Sequence, residues 1–280
     1  MSTLPLTEPD LAGSRSIDLL EASLESAIVE IGPMVIAFSG GVDSSLVLAA
    51  AGRYLQSHHV LAATADSASL ASGELETCSR LAGEWGVEWT APQTRELSDE
   101  RYLSNAGDRC FWCKSALMDQ LDPLAEARNS TVVLGVNVDD LGDHRPGQEA
   151  ARDRGARFPL VDAGFTKEEV RGLARHWQLE VWDRPAMPCL SSRIPYGTPV
   201  SVPLLSRIDR AEAALRAIGF GDVRVRHYDD TARIELPSDD LIRAVSMSDS
   251  IVEAVSDVGY RYVTLDLGGL RSGNLNQALS

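Results

Sequence analysis

Residues 39–45 read Ser-Gly-Gly-Val-Asp-Ser-Ser and follow directly on the apolar run 34–38. Gly40 and Gly41 let the backbone approach a ligand and take dihedral angles that other residues resist. The N–H groups that open a following helix favour an anion. A helix dipole alone contributes only about 0.3–2 kcal/mol, so the hydroxyls of Ser39, Ser44 and Ser45 must add to it. A Walker-type loop needs a Gly-Lys pair, and the chain has none. Asp43 would repel a phosphate unless Mg²⁺ lay between them. The stretch therefore suits a polyanion with its metal, the plain alternative being a glycine turn after a strand.

Thiols form the second group. Cys110-Phe-Trp-Cys113 has a spacing that can place two thiolates on one metal, though a zinc site wants four ligands, and a redox pair or inert thiols fit as well. Cys78 falls on the helical stripe Leu75, Cys78, Leu81, Ala82 and Trp85, where a small buried residue is expected. In the third group, DVRVRHYDDTARIEL reads as a hairpin turning at Asp229-Asp230. A two-residue loop sets Arg226 opposite Arg233 and Arg224 opposite Glu235. Opposed like charges are unfavourable by some tenths of a kcal/mol, and an anion between them would reverse the sign. A solvated face of arginine and glutamate is the competing reading.

These groups need positioning. Helical patterns over 16–32, 44–56, 73–85, about 113–127 and 166–177 alternate with strand patterns at 34–38, 59–65, 87–91 and 131–137. Thr166 and Glu169 have the spacing of a capping box. Such alternation predicts an α/β, doubly wound parallel sheet covered on both faces. Asp139, Asp140, Asp143 and Arg145 follow a predicted strand end, where such sheets bind ligands. Five prolines between 185 and 203 mark 184–203 as an extended connector, and it carries Cys189. Beyond it, helices over 204–218 and 238–256 and strands at 222–228, 231–236 and 260–267 predict a smaller α+β domain. The expected division is 1–183, 184–203 and 204–280.

The net charge of −15, with 24 arginines and only Lys114 and Lys167 as lysines, argues against broad nucleic-acid binding. An anionic ligand would need a local arginine cluster. No apolar run approaches the roughly 20 residues of a membrane span. The opening MSTLPLTEPDLAG has neither a basic nor an apolar leader region, so a cytoplasmic protein is expected, with its four cysteines as thiols or ligands rather than disulfides.

SGGVDSS resembles the pyrophosphate loop of the PP-loop ATP pyrophosphatases. VNVDDLGDHRPG (136–147), WDRPAMPCLSSRIPYG (182–197) and YVTLDLGGLRSGNLN (262–276) together resemble the LarE family, and the likeness runs from about residue 16 to 276. It departs at Pro188, where the family carries a small residue, and at 135–137, GVN in place of GTN. The resemblance implies ATP and Mg²⁺ at Ser39, Gly40, Gly41, Asp43, Ser44 and Ser45. It implies adenylylation of the carboxylates of a pyridinium-3,5-dicarboxylate mononucleotide, then replacement of oxygen by sulfur, for a nickel-pincer nucleotide. Cys189 matches the shared cysteine of the family, whose sulfur comes from that cysteine itself or from an iron–sulfur cluster. With Cys110 and Cys113 it would make a three-cysteine set for a [4Fe–4S] cluster, leaving one iron open for an extra sulfide; a sulfide or sulfur-relay donor is then the expected partner. Arg224 and Arg226 match the phosphate-binding pair, and Ser192 and Arg271 further substrate positions. Trp112, Glu212 and Glu235 are additional candidates, and a homo-oligomer is implied. A tRNA-thiolating enzyme, an amide-forming synthetase and a non-enzymatic adenine-nucleotide sensor are the rival readings.

Overall fold

The computed structural model describes residues 15–142 and 146–271. Helix α1 (Ile17–Ile31) starts at Ser16, whose side chain accepts from Leu19 N, and leads into β1 (Met34–Ala37). Strand β1 lies between β2 (Val60–Ala63) and β4 (Thr131–Leu134), and β3 (Glu88–Thr90) flanks β2, all parallel. Alternation along β1 sends Met34 and Ile36 into one core and Val35 into the other, as a strand buried on both faces requires. The first core gathers α1, α2 (Val42–Tyr54), α3 (Glu74–Glu84) and α8 (Lys167–His176); the second gathers α5 (Arg109–Ala127) and α6 (Pro146–Asp153). Short helices α4 (Glu100–Leu103) and α7 (Pro159–Asp162) complete this half.

From β1 the chain leaves toward β2, whereas β4 pairs on the opposite side, so the strand order reverses between β1 and β4. The loop after β1 and the loop after β4 meet at this point. A methyl group on Gly135 would lie 2.5 Å from Ser44 N and 2.7 Å from Asp43 C, which only a glycine permits.

The second half holds α9 (Val202–Ala217), β5 (Arg224–Tyr228), β6 (Thr231–Glu235), α10 (Leu241–Ser246), α11 (Ser248–Ser256) and β7 (Tyr262–Leu265). Strands β5 and β6 pair antiparallel in the register that the two-residue turn predicts, and β7 joins β6 in parallel. Where one helix over 238–256 is expected, two occur, separated at Met247 (φ −106°, ψ 20°). Flanking Ser246, Ser248 and Asp249 favour caps over helix interior, which explains the break. The connector is not purely extended. Leu190–Arg193 forms a 3₁₀ turn, and Leu190, Ile194 and Val200 are buried with Tyr102 of α4 and Leu205 and Ile208 of α9. Helix α5 begins at Arg109, earlier than expected, so that Cys110 and Cys113 both sit in its first turns.

Helix α8 carries the expected capping box, and Arg15 adds two hydrogen bonds of 3.0 Å to the Glu169 carboxylate. The guanidinium and the Thr166 N–H hold Glu169 down at about 2, against a usual value of 4.5. Because the folded value is depressed, this stabilisation is complete above pH 4.5 and lost as pH falls toward 2. The stability difference between wild type and Glu169→Gln, read from denaturant midpoints, is expected to be largest near neutrality and to vanish across that window. Gly135→Ala is expected to lower stability by about 1–3 kcal/mol through overpacking and to displace the loop at 39–45. Thermal unfolding with and without ATP·Mg²⁺ checks both effects.

Candidate active site at the switch point

The loop is built by hydrogen bonds of its own. Ser44 Oγ donates to Gly41 O at 3.1 Å, accepts from Ser39 N at 3.3 Å and lies 3.2 Å from Ser39 Oγ. Gly40 takes φ +68°, a left-handed angle, and a side chain there would press on Cys78 Sγ and Arg184 at 3.1 Å. Gly41 is the N-cap of α2, so the free N–H groups of its first turn open toward the crevice beyond β1. Ser45 Oγ is buried with no hydrogen-bond partner among the described residues.

Asp43 stands in the first turn of α2. Asn137 Nδ2 donates to its Oδ1 at 2.9 Å, and Lys167 Nζ pairs with its Oδ2. The backbone N–H of Lys167 donates to Asp139 Oδ2 at 2.7 Å, and Asn137 Oδ1 accepts from the N–H groups of Asp139 and Asp140. Carboxylates, an amide and one ammonium group thus surround the mouth of the loop, a donor set suited to a phosphate chain with Mg²⁺. Asp143 and Arg145 lie outside the described residues. Sequence reasoning missed Asn137 and Lys167 as site residues, although Lys167 is one of only two lysines and directly follows the α8 N-cap.

The four cysteines lie in different environments. Cys78 is fully buried in the first core, its thiol pushed up by burial. Cys110 is exposed, and Cys113 and Cys189 are half-buried. Burial and then the neighbouring Cys189 push Cys113 up to about 12, with Lys114 acting in the opposite sense. All three thiols influence Lys114, whose pKa burial lowers, so they share one neighbourhood. Among the described residues, no three acid, thiol or imidazole side chains converge as a ready metal site. The thiols suit a cluster in kind, but a cation would have to deprotonate them and draw them together. Arg109 is buried against Ser191 O at 2.8 Å and Asn105 Oδ1 at 2.6 Å, where it holds the connector turn to α5. Trp112 donates to Asp108 Oδ2 at 2.8 Å, and the Arg101 guanidinium covers its ring at 3.6 Å.

The turn that carries Cys189 is fixed by Arg193. This arginine donates to Glu212 twice, at 2.8 and 3.1 Å, and also to Cys189 O at 3.2 Å and Ser192 Oγ at 3.1 Å. Glu212, wholly buried, accepts further bonds from Val225 N and Arg216, each at 3.0 Å. Arg226 donates to Ser192 O at 2.6 Å and to Glu235 at 2.8 Å, while Arg233 donates to the same carboxylate at 3.0 Å. The anion between the opposed Arg226 and Arg233 is therefore Glu235 itself, where sequence reasoning expected an external one. Arg224 differs: its hydrogen bonds run to the main-chain carbonyls Arg271 O (3.2 Å) and Ala186 O (3.4 Å). Burial and the guanidiniums of Arg193 and Arg226 lower its pKa, so this part of the network holds an excess of positive charge.

A parallel sheet with SGGVDSS at its switch point defines a PP-loop enzyme that uses ATP, and residues 16–134 match the asparagine synthase family. An uncharacterized protein of Synechocystis is 43% identical over 94% of this chain and 100% of its own length. The pyridinium-3,5-bisthiocarboxylic acid mononucleotide synthase of Lactiplantibacillus plantarum is 37% identical over 93% of this chain and 95% of its own. An uncharacterized protein of Methanocaldococcus jannaschii is 26% identical over 85% of this chain. The chain belongs to the LarE family and is an ATP-dependent enzyme. No helix among the described residues is long and apolar enough to cross a membrane.

Lys167 pairs with Asp43, the carboxylate in the loop at 39–45. Removing its charge in Lys167→Met is expected to reduce pyrophosphate release by about 10–100-fold, the value of one or two charge-assisted hydrogen bonds. Steady-state kinetics over a range of ATP concentrations read the effect.

Proposed function

We propose that the protein adenylylates the carboxylates of pyridinium-3,5-biscarboxylic acid mononucleotide and exchanges oxygen for sulfur at each. The observation that carries this reading is the short turn 189–193. It sets a thiol, Cys189, next to Ser192, whose carbonyl receives Arg226 of the small sheet at 2.6 Å. A substrate phosphate on Arg224, with Arg226 and Arg271 beside it, would thus share one turn of chain with the sulfur. Glu212 and Glu235 are fully buried; Glu235 holds Arg226, and Glu212 holds Arg193 of the same turn.

In the proposed order, ATP·Mg²⁺ binds at Ser39–Ser45 and a substrate carboxylate oxygen attacks the α-phosphorus. Pyrophosphate leaves into the loop. Sulfur held near Cys189 then attacks the acyl carbon, and AMP departs with the oxygen that was poor as a leaving group. Holding the activated acid against the sulfur is the protein's main contribution. A second round converts the other carboxylate, in keeping with the bisthiocarboxylic product in the name of the Lactiplantibacillus relative.

For the sulfur carrier we favour a [4Fe–4S] cluster on Cys110, Cys113 and Cys189. When bound, such a cluster would supply an exchangeable sulfide at the iron that no cysteine occupies. The chain's own part is to hold the three thiols in one neighbourhood beside Lys114, whose positive charge offsets their ionisation. An acidic chain with arginines gathered at one small sheet suits a mononucleotide better than tRNA.

Pyrophosphate release in the presence of the pyridinium dicarboxylate mononucleotide tests the first step, and ATP binding without release would sink it. Anaerobic reconstitution with iron and sulfide is expected to give visible absorption that Cys189→Ala, Cys110→Ala and Cys113→Ala each abolish. A colourless protein that loses the mass of one H₂S from Cys189 per sulfur delivered would establish the sacrificial route instead.

A further inference from the structure

We propose that Arg184 is a positioning residue that ties the conformation of the ATP loop to the strap bearing Cys189. One face of its guanidinium fork serves the loop: Nη1 donates to Gly40 O at 3.1 Å. The other face is anchored, Nη2 donating to both carboxylate oxygens of Glu74 at 2.7 and 3.0 Å. Glu74 opens α3 and is nearly buried, so the anchor is rigid.

The consequence follows from peptide geometry. No cis peptide occurs among the described residues, and in a planar trans peptide the C=O and the following N–H point in opposite directions. Fixing Gly40 O on Arg184 therefore turns Gly41 N–H to the opposite side, away from α3. Gly40 has φ +68° and no side chain to hold that peptide plane, so the plane needs an external restraint. Arg184 supplies it from a distant part of the chain.

The same arginine begins the strap 184–190. Ala186 O accepts from Arg224, Pro188 O and Cys189 O accept from Arg193, and Leu190 N donates to Ser69 O at 2.7 Å. Residues 185–188 have exposed side chains and include two prolines, so hydrogen bonds at these few points, and not packing, set their path. A movement of the Gly40 peptide on nucleotide binding is thus felt by a short, stiff segment that ends at the thiol. Ala186 O connects that segment with Arg224 as well.

The proposal rests on the nucleotide reading above, and the test separates the two. In the full-length protein purified without iron reconstitution, alkylation of Cys189 is followed by mass spectrometry with and without α,β-methylene-ATP and Mg²⁺. Wild type is expected to change its Cys189 rate severalfold when the analogue binds. Arg184→Met is expected to bind the analogue about tenfold more weakly, the value of a lost charge-assisted bond, and at saturation to show no change at Cys189. Arg184→Lys, with one centre in place of a fork, can serve Gly40 or Glu74 but not both, and is expected to fall between. Glu74→Gln, which leaves the loop contact but weakens its anchor, should shift in the same direction and carries the test should Arg184→Met fold poorly. A responsive wild type matched by an equally responsive Arg184→Met overturns the coupling alone. A wild type that binds no analogue overturns the nucleotide reading and this proposal together.

Discussion

Arg193 and Glu212 meet in the interior with almost no exposure, 2% and 0% of their side chains, and join three separate parts of the chain. The arginine belongs to the connector turn, the glutamate to α9, and the glutamate also receives the backbone N–H of Val225 in β5. Charges taken out of water are tolerated only when paired with good geometry and further hydrogen bonds, and removal of one partner from such a pair typically costs about 3–5 kcal/mol. Here the remaining donors of Arg193 go to Pro188 O, Cys189 O and Ser192 Oγ. The pair therefore fixes the main chain on either side of the thiol. Replacing it by apolar residues could fill the same space, but no apolar side chain could hold the carbonyls of a turn in place.

The arginines of the small sheet extend this logic. Glu212 answers Arg193 and Arg216, and Glu235 answers Arg226 and Arg233, while Asp266 lies 3.5 Å from Arg233 Nε. Among the described strand arginines of this sheet, Arg224 is the one whose hydrogen bonds run to main-chain carbonyls and not to a carboxylate. A buried guanidinium among guanidiniums is stabilised by any anion that reaches it, and the effect is strong where water is scarce. In a chain of net charge −15 this concentration of positive charge is local.

Much of this was legible in the sequence, and the reason differs from part to part. The alternation of strands and helices and the hairpin register are consequences of local periodicity, and a two-residue turn leaves little freedom in the pairing. The capping box at Thr166 and Glu169 is likewise local, and both of its hydrogen bonds form. The pairing of Lys167 with Asp43 was not legible, because the partners are 124 residues apart. The same holds for Arg184 and Gly40, separated by 144 residues. Sequence spacing also did not show that Glu235, a diagonal neighbour of Arg226 across the strands, serves as the anion between Arg226 and Arg233. The break at Met247 was missed because an apolar stripe can continue across two helices without revealing the serines that interrupt it.

The contrast among the cysteines shows how environment, and not residue type, assigns chemistry. Cys78 lies under the loop within contact distance of a side chain at Gly40, yet its place among apolar residues keeps the thiol neutral and inert. Cys113 is also raised by burial, but its neighbours are two further thiols and a lysine whose own pKa is lowered. A thiol and an amine that each resist ionisation alone stabilise one another once ionised, and a cation added to the thiols would reinforce the change. Burial thus disfavours the charged forms of Cys113 and Lys114, and each favours the charged form of the other. Cys189 reaches this neighbourhood from the connector, on a turn whose carbonyls are held by Arg193. The buried ion pair and the neighbouring thiols are thus parts of the same arrangement.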